Sequence, residues 1–220
     1  MITQIYEVQS FDEAKKLAEI GVDSIGVLVG IRNEWPGELS PEQAKEVLSG
    51  VTGQVKKVVL SLSKNFDDII EIIKRTDPDI LHLAAEPEII SPADVQVIKN
   101  QFPDIKVMRT IPVENEECIK LAKQYDKVAD YLLLDSRRKS DGQLGATGET
   151  HDWDLSKKIV DSVSIPVILA GGLGPDNLVE AITKVRPFGV DSKTKTDKEG
   201  RREKDIEKVR EFVKIARETK

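Results

Sequence analysis

The chain has 220 residues, 39% hydrophobic and 33% charged, with few aromatics, a size and composition that suit one folded domain with a largely aliphatic core. A net charge of −6 argues against general affinity for nucleic acid, so any anion site must be built locally. The single Cys118 excludes an intramolecular disulfide and a Cys-based metal cluster; with no signal-like N-terminus and no apolar run near the ~18 residues of a membrane span, a cytoplasmic protein without a membrane partner is expected.

Short β-branched runs alternate with longer amphipathic stretches along the whole chain. In chain order, a strand over 2–8 precedes a helix over 11–20, then come 24–29 and 41–48, 55–60 and 66–75, and 80–83 and 92–101. The second half repeats the pattern with 106–110 and 114–124, 131–135 and 154–162, 166–170 and 175–184, and 188–191 and 203–217. Ser10, Ser40-Pro41, Ser91-Pro92 and Asp152 are suitable helix starts. Eight strand–helix units at this length predict the α/β class and a closed (β/α)₈ TIM barrel over residues 1–220, with an open doubly wound sheet as the structural alternative. The charged tail from Lys193 onward reads mainly as a solvated helix face, and Trp35 and Trp153 as loop-packing aromatics.

In such a barrel the chemistry belongs at the C-terminal ends of the strands. Gly171 and Gly172 leave the seventh strand just before a helix, where missing side chains let a phosphate approach backbone N–H groups. The next loop, with Lys193, Thr194 and Lys195, adds hydroxyl and ammonium groups; a tight turn with nothing bound is the competing reading. Leu132-Leu-Leu-Asp135 ends an apolar strand in a carboxylate, either raised in pKa by desolvation into a general acid or held down by Arg137 or Arg138. The segment 136–152 after it, with Gly142, Gly145 and Gly148, has the composition of a lid. His82 is either a satisfied core residue or a ligand contact. Arg109 either holds an anionic substrate or pairs with an acid such as Asp135. With His151 as the only other histidine, neither a metal nor an organic cofactor is expected. The sequence does not indicate an oligomeric state.

Three stretches then carry a resemblance across nearly the whole chain: Leu132-Leu-Leu-Asp135 followed by Gly145-Ala-Thr-Gly148 and His151-Asp-Trp153; Leu169-Ala-Gly-Gly-Leu-Gly-Pro-Asp-Asn177; and Val185-Arg-Pro-Phe-Gly-Val-Asp191. In their order and spacing the sequence resembles the phosphoribosylanthranilate isomerase family of tryptophan biosynthesis. That resemblance implies an Amadori rearrangement of a phosphorylated ribosylamine, Asp135 as general acid, phosphate at Gly171, Gly172 and the loop after strand eight, and a substrate-orienting Asp191.

The sequence departs from the family at several of these places. Where the family's first strand carries a Cys base, this chain has Tyr6; a phenol titrates near ~10, so a basic role requires a phenolate stabilised by cations such as Arg137 or Arg138. The family Arg that grips the anthranilate carboxylate aligns near Gly37, with Arg32 as its possible replacement in the same loop. Three functions are therefore open: an isomerase with an unassigned base such as Tyr6 or Glu7, a paralogue acting on another phosphorylated or anionic metabolite, and a non-catalytic metabolite-binding barrel.

Overall fold

The computed structural model describes residues 1–137, 140 and 144–219, so Arg138 and Gly142 lie outside the described residues. The strands are β1 (Ile2–Ile5), β2 (Ser24–Leu28), β3 (Lys56–Ser61), β4 (Ile80–Leu83), β5 (Lys106–Pro112), β6 (Tyr131–Asp135), β7 (Val167–Leu169) and β8 (Gly189–Ser192). The helices that follow them are α1 (Phe11–Ile20), α2 (Pro41–Leu48), α3 (Phe66–Thr76), α4 (Pro92–Gln101), α5 (Glu117–Tyr125), α6 (Trp153–Ser162), α7 (Leu178–Val185) and α8 (Ile206–Glu218). All strands pair in parallel in sequence order, and β1 closes on β8, so the sheet is the expected barrel.

Strand alternation divides the barrel into two packed layers. Tyr6, Val58, Ile80, Met108, Leu133, Ile168 and Ala170 form a cluster inside the barrel. Their neighbours Ile5, Val59, Leu81, Val107, Leu132, Leu134 and Leu169 face outward into the main core beneath the helices. Helix starts follow local chemistry: Ser40 and Ser91 make reciprocal capping boxes with Gln43 and Asp94, and Ser10 and Asp152 accept from the first-turn amides. Cys118 is buried on α5.

Some boundaries moved for physical reasons. The first strand stops at Ile5 rather than running to Val8, because Glu7 turns into the left-handed region with φ 56°. Helix α7 begins at Leu178, after a turn in which Asn177 Oδ1 accepts from the Gly174 amide and its Nδ2 donates to Gly172 O, both at 3.0 Å. The charged tail is not simply a solvated face: Lys204 is 1% exposed and reaches Asp197 and the Lys193 carbonyl.

Gly26, in the middle of β2, has a specific neighbour. A β-carbon built there meets Cδ1 and Cε1 of Tyr6 at 2.2 Å, so the phenol ring lies in the space that any other residue would need. Gly26→Ala is therefore expected to overpack the barrel interior and cost about 1–3 kcal/mol, read as a lower midpoint in thermal denaturation. An unchanged midpoint would mean that the ring moves aside freely.

Candidate active site

At the C-terminal mouth of the barrel, Tyr6, Glu7, His82, Asp135, Asp191 and Lys193 help to line a cavity of about 80 Å³. A tighter cleft of about 30 Å³ adjoins it and shares Asp135, Asp191 and Lys193. Gly171 and Gly172, Thr194 and Lys195, and Ala146 to Gly148 supply much of its remaining wall. The strand-end arrangement thus brings together nine of the residues singled out in the sequence as catalytic or phosphate-binding, with His82 as the tenth in the cavity wall.

Asp135 is the last residue of β6, inside the barrel by alternation with Leu133. Burial pushes its pKa up to about 7, against the lowering effect of the Ser136 amide, which donates to Oδ1 at 2.8 Å. Among the described residues desolvation dominates this environment, and Arg138, one of the two pairing partners considered from sequence, lies outside them. Arg137 instead forks onto Glu86 at 2.9 and 2.8 Å and donates to Glu114 at 3.0 Å. Asp191 comes from β8, opposite Gln4 of β1, whose amide donates to Oδ1 at 3.2 Å. Burial first, and the charge of Asp135 second, hold the Asp191 carboxyl well above the ordinary carboxylate range.

Tyr6 also points into the cavity, with its hydroxyl 2.6 Å from His82 Nδ1. Burial, then Asp191 and Asp135, raise its pKa well above 10, so it is a neutral phenol at physiological pH. Among the described residues the charges acting on this ring are carboxylates, which disfavour the phenolate considered from sequence, and Arg138 lies outside them. Burial and Arg109 lower His82 to about 3, leaving a neutral imidazole. Its Nε2 lies 2.6 Å from Thr110 Oγ1, and the network is satisfied if Tyr6 donates to Nδ1 and Nε2–H donates to Thr110.

Gly171 and Gly172 both have positive φ, 79° and 59°, but their immediate neighbours are protein atoms. A β-carbon on Gly171 would stand 2.7 Å from His151 Nδ1, and one on Gly172 would stand 2.7 Å from Gly148 O. The glycines therefore make room for segment 144–151, and the narrow cleft lies between that segment and the loop after β8. Charges in the latter loop are already engaged. Lys193 Nζ is 3.3 Å from Glu7 Oε2 and 3.2 Å from Asp197 Oδ2, and Lys195 pairs with Asp176 at 3.3 Å. Thr194 Oγ1 donates to Ala146 O at 3.4 Å.

Two expected contacts lie elsewhere. Arg32 is on the surface, paired with Asp68 at 3.2 Å. Arg109 is fully buried on the outward phase of β5, between Met108 and Thr110, and donates to Leu83 O and Ala85 O at 2.6 Å each. Its guanidinium carbon also sits 5.2 Å from the Tyr125 ring centre. Arg109→Ala is accordingly expected to lower stability by roughly 3 kcal/mol through two unsatisfied carbonyls and a cavity, while the KM of the surviving fold stays within about twofold. A rise in KM without loss of stability would restore the substrate-contact reading.

The sequence reading missed Gly26, Thr110, Arg202 and Lys204. Gly26 had a usable signal, since glycine inside a strand often marks close approach. Arg202 Nη1 donates to Glu7 Oε2 at 2.9 Å and Pro36 O at 2.8 Å, and lies 2.8 Å from a β-carbon built on Gly37. A guanidinium thus reaches the neighbourhood of Gly37 from the loop after β8, while Arg32 points away. Among the described residues, no group of three or more His, Cys, Asp or Glu could hold a metal ion, and no helix is long and apolar enough to cross a membrane.

A family model for N-(5'-phosphoribosyl)anthranilate isomerase matches residues 4–215. The isomerase of that name from Methanocella arvoryzae is 36% identical over 210 residues, spanning 95% of this chain and 94% of its own. The solved structure of the Pyrococcus furiosus isomerase has a TM-score of 0.79 at 25% identity, covering 99% of this chain and 98% of that one. A further solved isomerase, in complex with reduced 1-(o-carboxyphenylamino)-1-deoxyribulose 5-phosphate, shares the fold at 23% identity with a TM-score of 0.79, covering 99% of both chains.

Proposed function

The chain belongs to the N-(5'-phosphoribosyl)anthranilate isomerase family, and from that membership we propose that it converts phosphoribosylanthranilate to the open-chain ketose amine in tryptophan biosynthesis. In this reading Asp135 is the general acid, Asp191 orients the ribose, and the cleft between Gly171, Gly172, Lys193 and Thr194 receives the phosphate. One barrel carries the whole activity, in the cytoplasm, without a metal or organic cofactor.

The observation that carries the proposal is Asp135, a carboxyl at the mouth of the barrel raised to about 7 and adjoining the cleft of the loops after β7 and β8. Such an acid is still substantially protonated at neutral pH. It donates its proton to the furanose ring oxygen as the C1′–O bond breaks onto that oxygen, leaving an iminium at C1′. Loss of the C2′ proton then sends the C–H electron pair into a C1′–C2′ double bond and neutralises the nitrogen. The resulting enolamine becomes the ketone by gaining a proton at C1′ and losing one from the C2′ hydroxyl. Steady-state consumption of phosphoribosylanthranilate, followed by loss of its fluorescence, tests the proposal; no turnover by the purified protein would overturn it.

A second reading rests on Tyr6 and His82, whose hydrogen-bonded rings fill the barrel beneath the mouth cavity. These favour a smaller phosphorylated metabolite, converted or only bound. Conversion of another sugar phosphate in a substrate screen would support a paralogue, and ligand-dependent thermal stabilisation without turnover would support a binding barrel.

A further inference from the structure

We infer that Glu7 is the general base of the proposed isomerisation, taking the C2′ proton from a site two residues beyond the end of β1. The inference rests on the isomerase reading above and concerns the step for which Tyr6 is poorly suited.

The backbone carries the first part of the case. Along β1, Gln4 and Tyr6 face the barrel interior, where they meet Asp191 and His82, while Ile5 faces the helices. Simple alternation would send residue 7 outward again. Glu7 instead adopts φ 56°, a conformation that ordinary L-residues rarely occupy, and its side chain lines the same mouth cavity as Asp135 and Asp191. Left-handed backbone at a non-glycine position costs on the order of 1–3 kcal/mol and often accompanies a functional site. Here it re-aims a carboxylate into the cavity.

The carboxylate is held in place while keeping one oxygen available. Oε2 receives Arg202 Nη1 at 2.9 Å and lies 3.3 Å from Lys193 Nζ, and no hydrogen bond engages Oε1 among the described residues. Glu7 is 8% exposed, so the group is largely removed from bulk water. Tyr6, in contrast, has its hydroxyl committed to His82. Once ring opening has left an iminium at C1′, a Glu7 oxygen takes the C2′ proton, the C–H electron pair forms the C1′–C2′ double bond, and the iminium nitrogen is neutralised. Glu7 then releases the proton to solvent.

The test compares kcat on phosphoribosylanthranilate for the unmodified protein, Glu7→Gln, Glu7→Ala, Glu7→Asp, Tyr6→Phe and Arg202→Ala, with a melting curve for each. Glu7→Gln is expected to lose roughly 10²–10⁴-fold in kcat, and Glu7→Ala to recover activity saturably with added formate. Glu7→Asp, which keeps the charge facing Lys193 and Arg202 but withdraws it by one methylene, should fall about tenfold or more. This variant keeps the test decisive if the uncharged ones do not fold. Glu7→Asp with unchanged kcat overturns the assignment, as does a larger loss in Tyr6→Phe than in Glu7→Gln. So does a loss in Glu7→Ala that Arg202→Ala reproduces and formate does not relieve, since that pattern belongs to a purely structural ion pair. An inactive unmodified protein overturns the isomerase reading itself, and this inference with it, whereas activity that survives Glu7 replacement overturns the base assignment alone.

Discussion

Asp135→Asn is expected to lower kcat on phosphoribosylanthranilate by roughly 10²–10⁴-fold, because the amide keeps the shape of the side chain and cannot give up a proton to the ring oxygen. With Asp135 raised to about 7 by burial, the unmodified enzyme should slow as pH rises through neutrality and the acid ionises. The same shift fixes the sign of a stability change. A carboxyl at about 7 in the folded chain and near ~3.9 in the unfolded one binds its proton more tightly when folded, so stability falls as pH rises through that interval and remains lower above it. Asparagine removes that loss. The variant should therefore melt higher than the parent at pH 8, with the difference shrinking toward pH 4. A kcat–pH profile and paired melting curves check both limbs; retained turnover in Asp135→Asn would remove this residue from the chemistry.

Lys204→Met is expected to produce the largest loss of stability. The lysine side chain is fully buried, its Nζ bonds to Asp197 Oδ1 and to Lys193 O, and its amide donates to Glu13 Oε1 at 2.6 Å. Removing the ammonium strips Asp197 of its buried partner, a type of change that costs about 3–5 kcal/mol. Lys193, still 3.2 Å from Asp197 Oδ2, retains part of the pairing and sets the expectation near the lower figure. At the usual ~2–4 °C per kcal/mol for a chain of this size, the melting midpoint should fall by roughly 6–12 °C. A fall of only a degree or two would show that methionine packing compensates for the lost charge. In a folded sample the KM for phosphoribosylanthranilate should also rise, because Lys193 is then drawn toward Asp197, which has lost Lys204, and away from the cleft.

The barrel was legible because its signal is spread over the chain: each β-branched run is followed by a helix pattern with its own cap, and no single boundary decides the outcome. Asp135 was legible for a related reason, as a carboxylate at the end of an otherwise apolar strand on the face where this architecture gathers chemistry. Arg109 was misread because a strand buried on both sides shows no polar alternation to indicate its phase. Only the positions of Met108 and Thr110 inside the barrel reveal that Arg109 faces outward. Lys204 looked like one charge among many because its burial depends on Asp197 and Glu13, the latter far away in sequence. The turn at Glu7 had no local marker, since nothing in Tyr-Glu-Val requires left-handed backbone. Gly171 and Gly172 were read as making room for a phosphate, and their immediate neighbours in the fold are His151 and Gly148.

The nesting of Tyr6 against Gly26 makes the two positions epistatic and orders the paths between sequences. A lineage can reach tyrosine at position 6 without a steric conflict only if position 26 is already glycine, because a methyl group there would collide with the ring at 2.2 Å. A change from tyrosine to cysteine has its own obstacle. Replacing Tyr6 by the smaller cysteine leaves an unfilled slot beside Gly26 and removes the phenol partner of His82 Nδ1. Placing a thiol at the end of β1 is thus a coordinated change at positions 6, 26 and 82, and Tyr6→Cys alone tests the chemistry in a barrel that no longer packs around it.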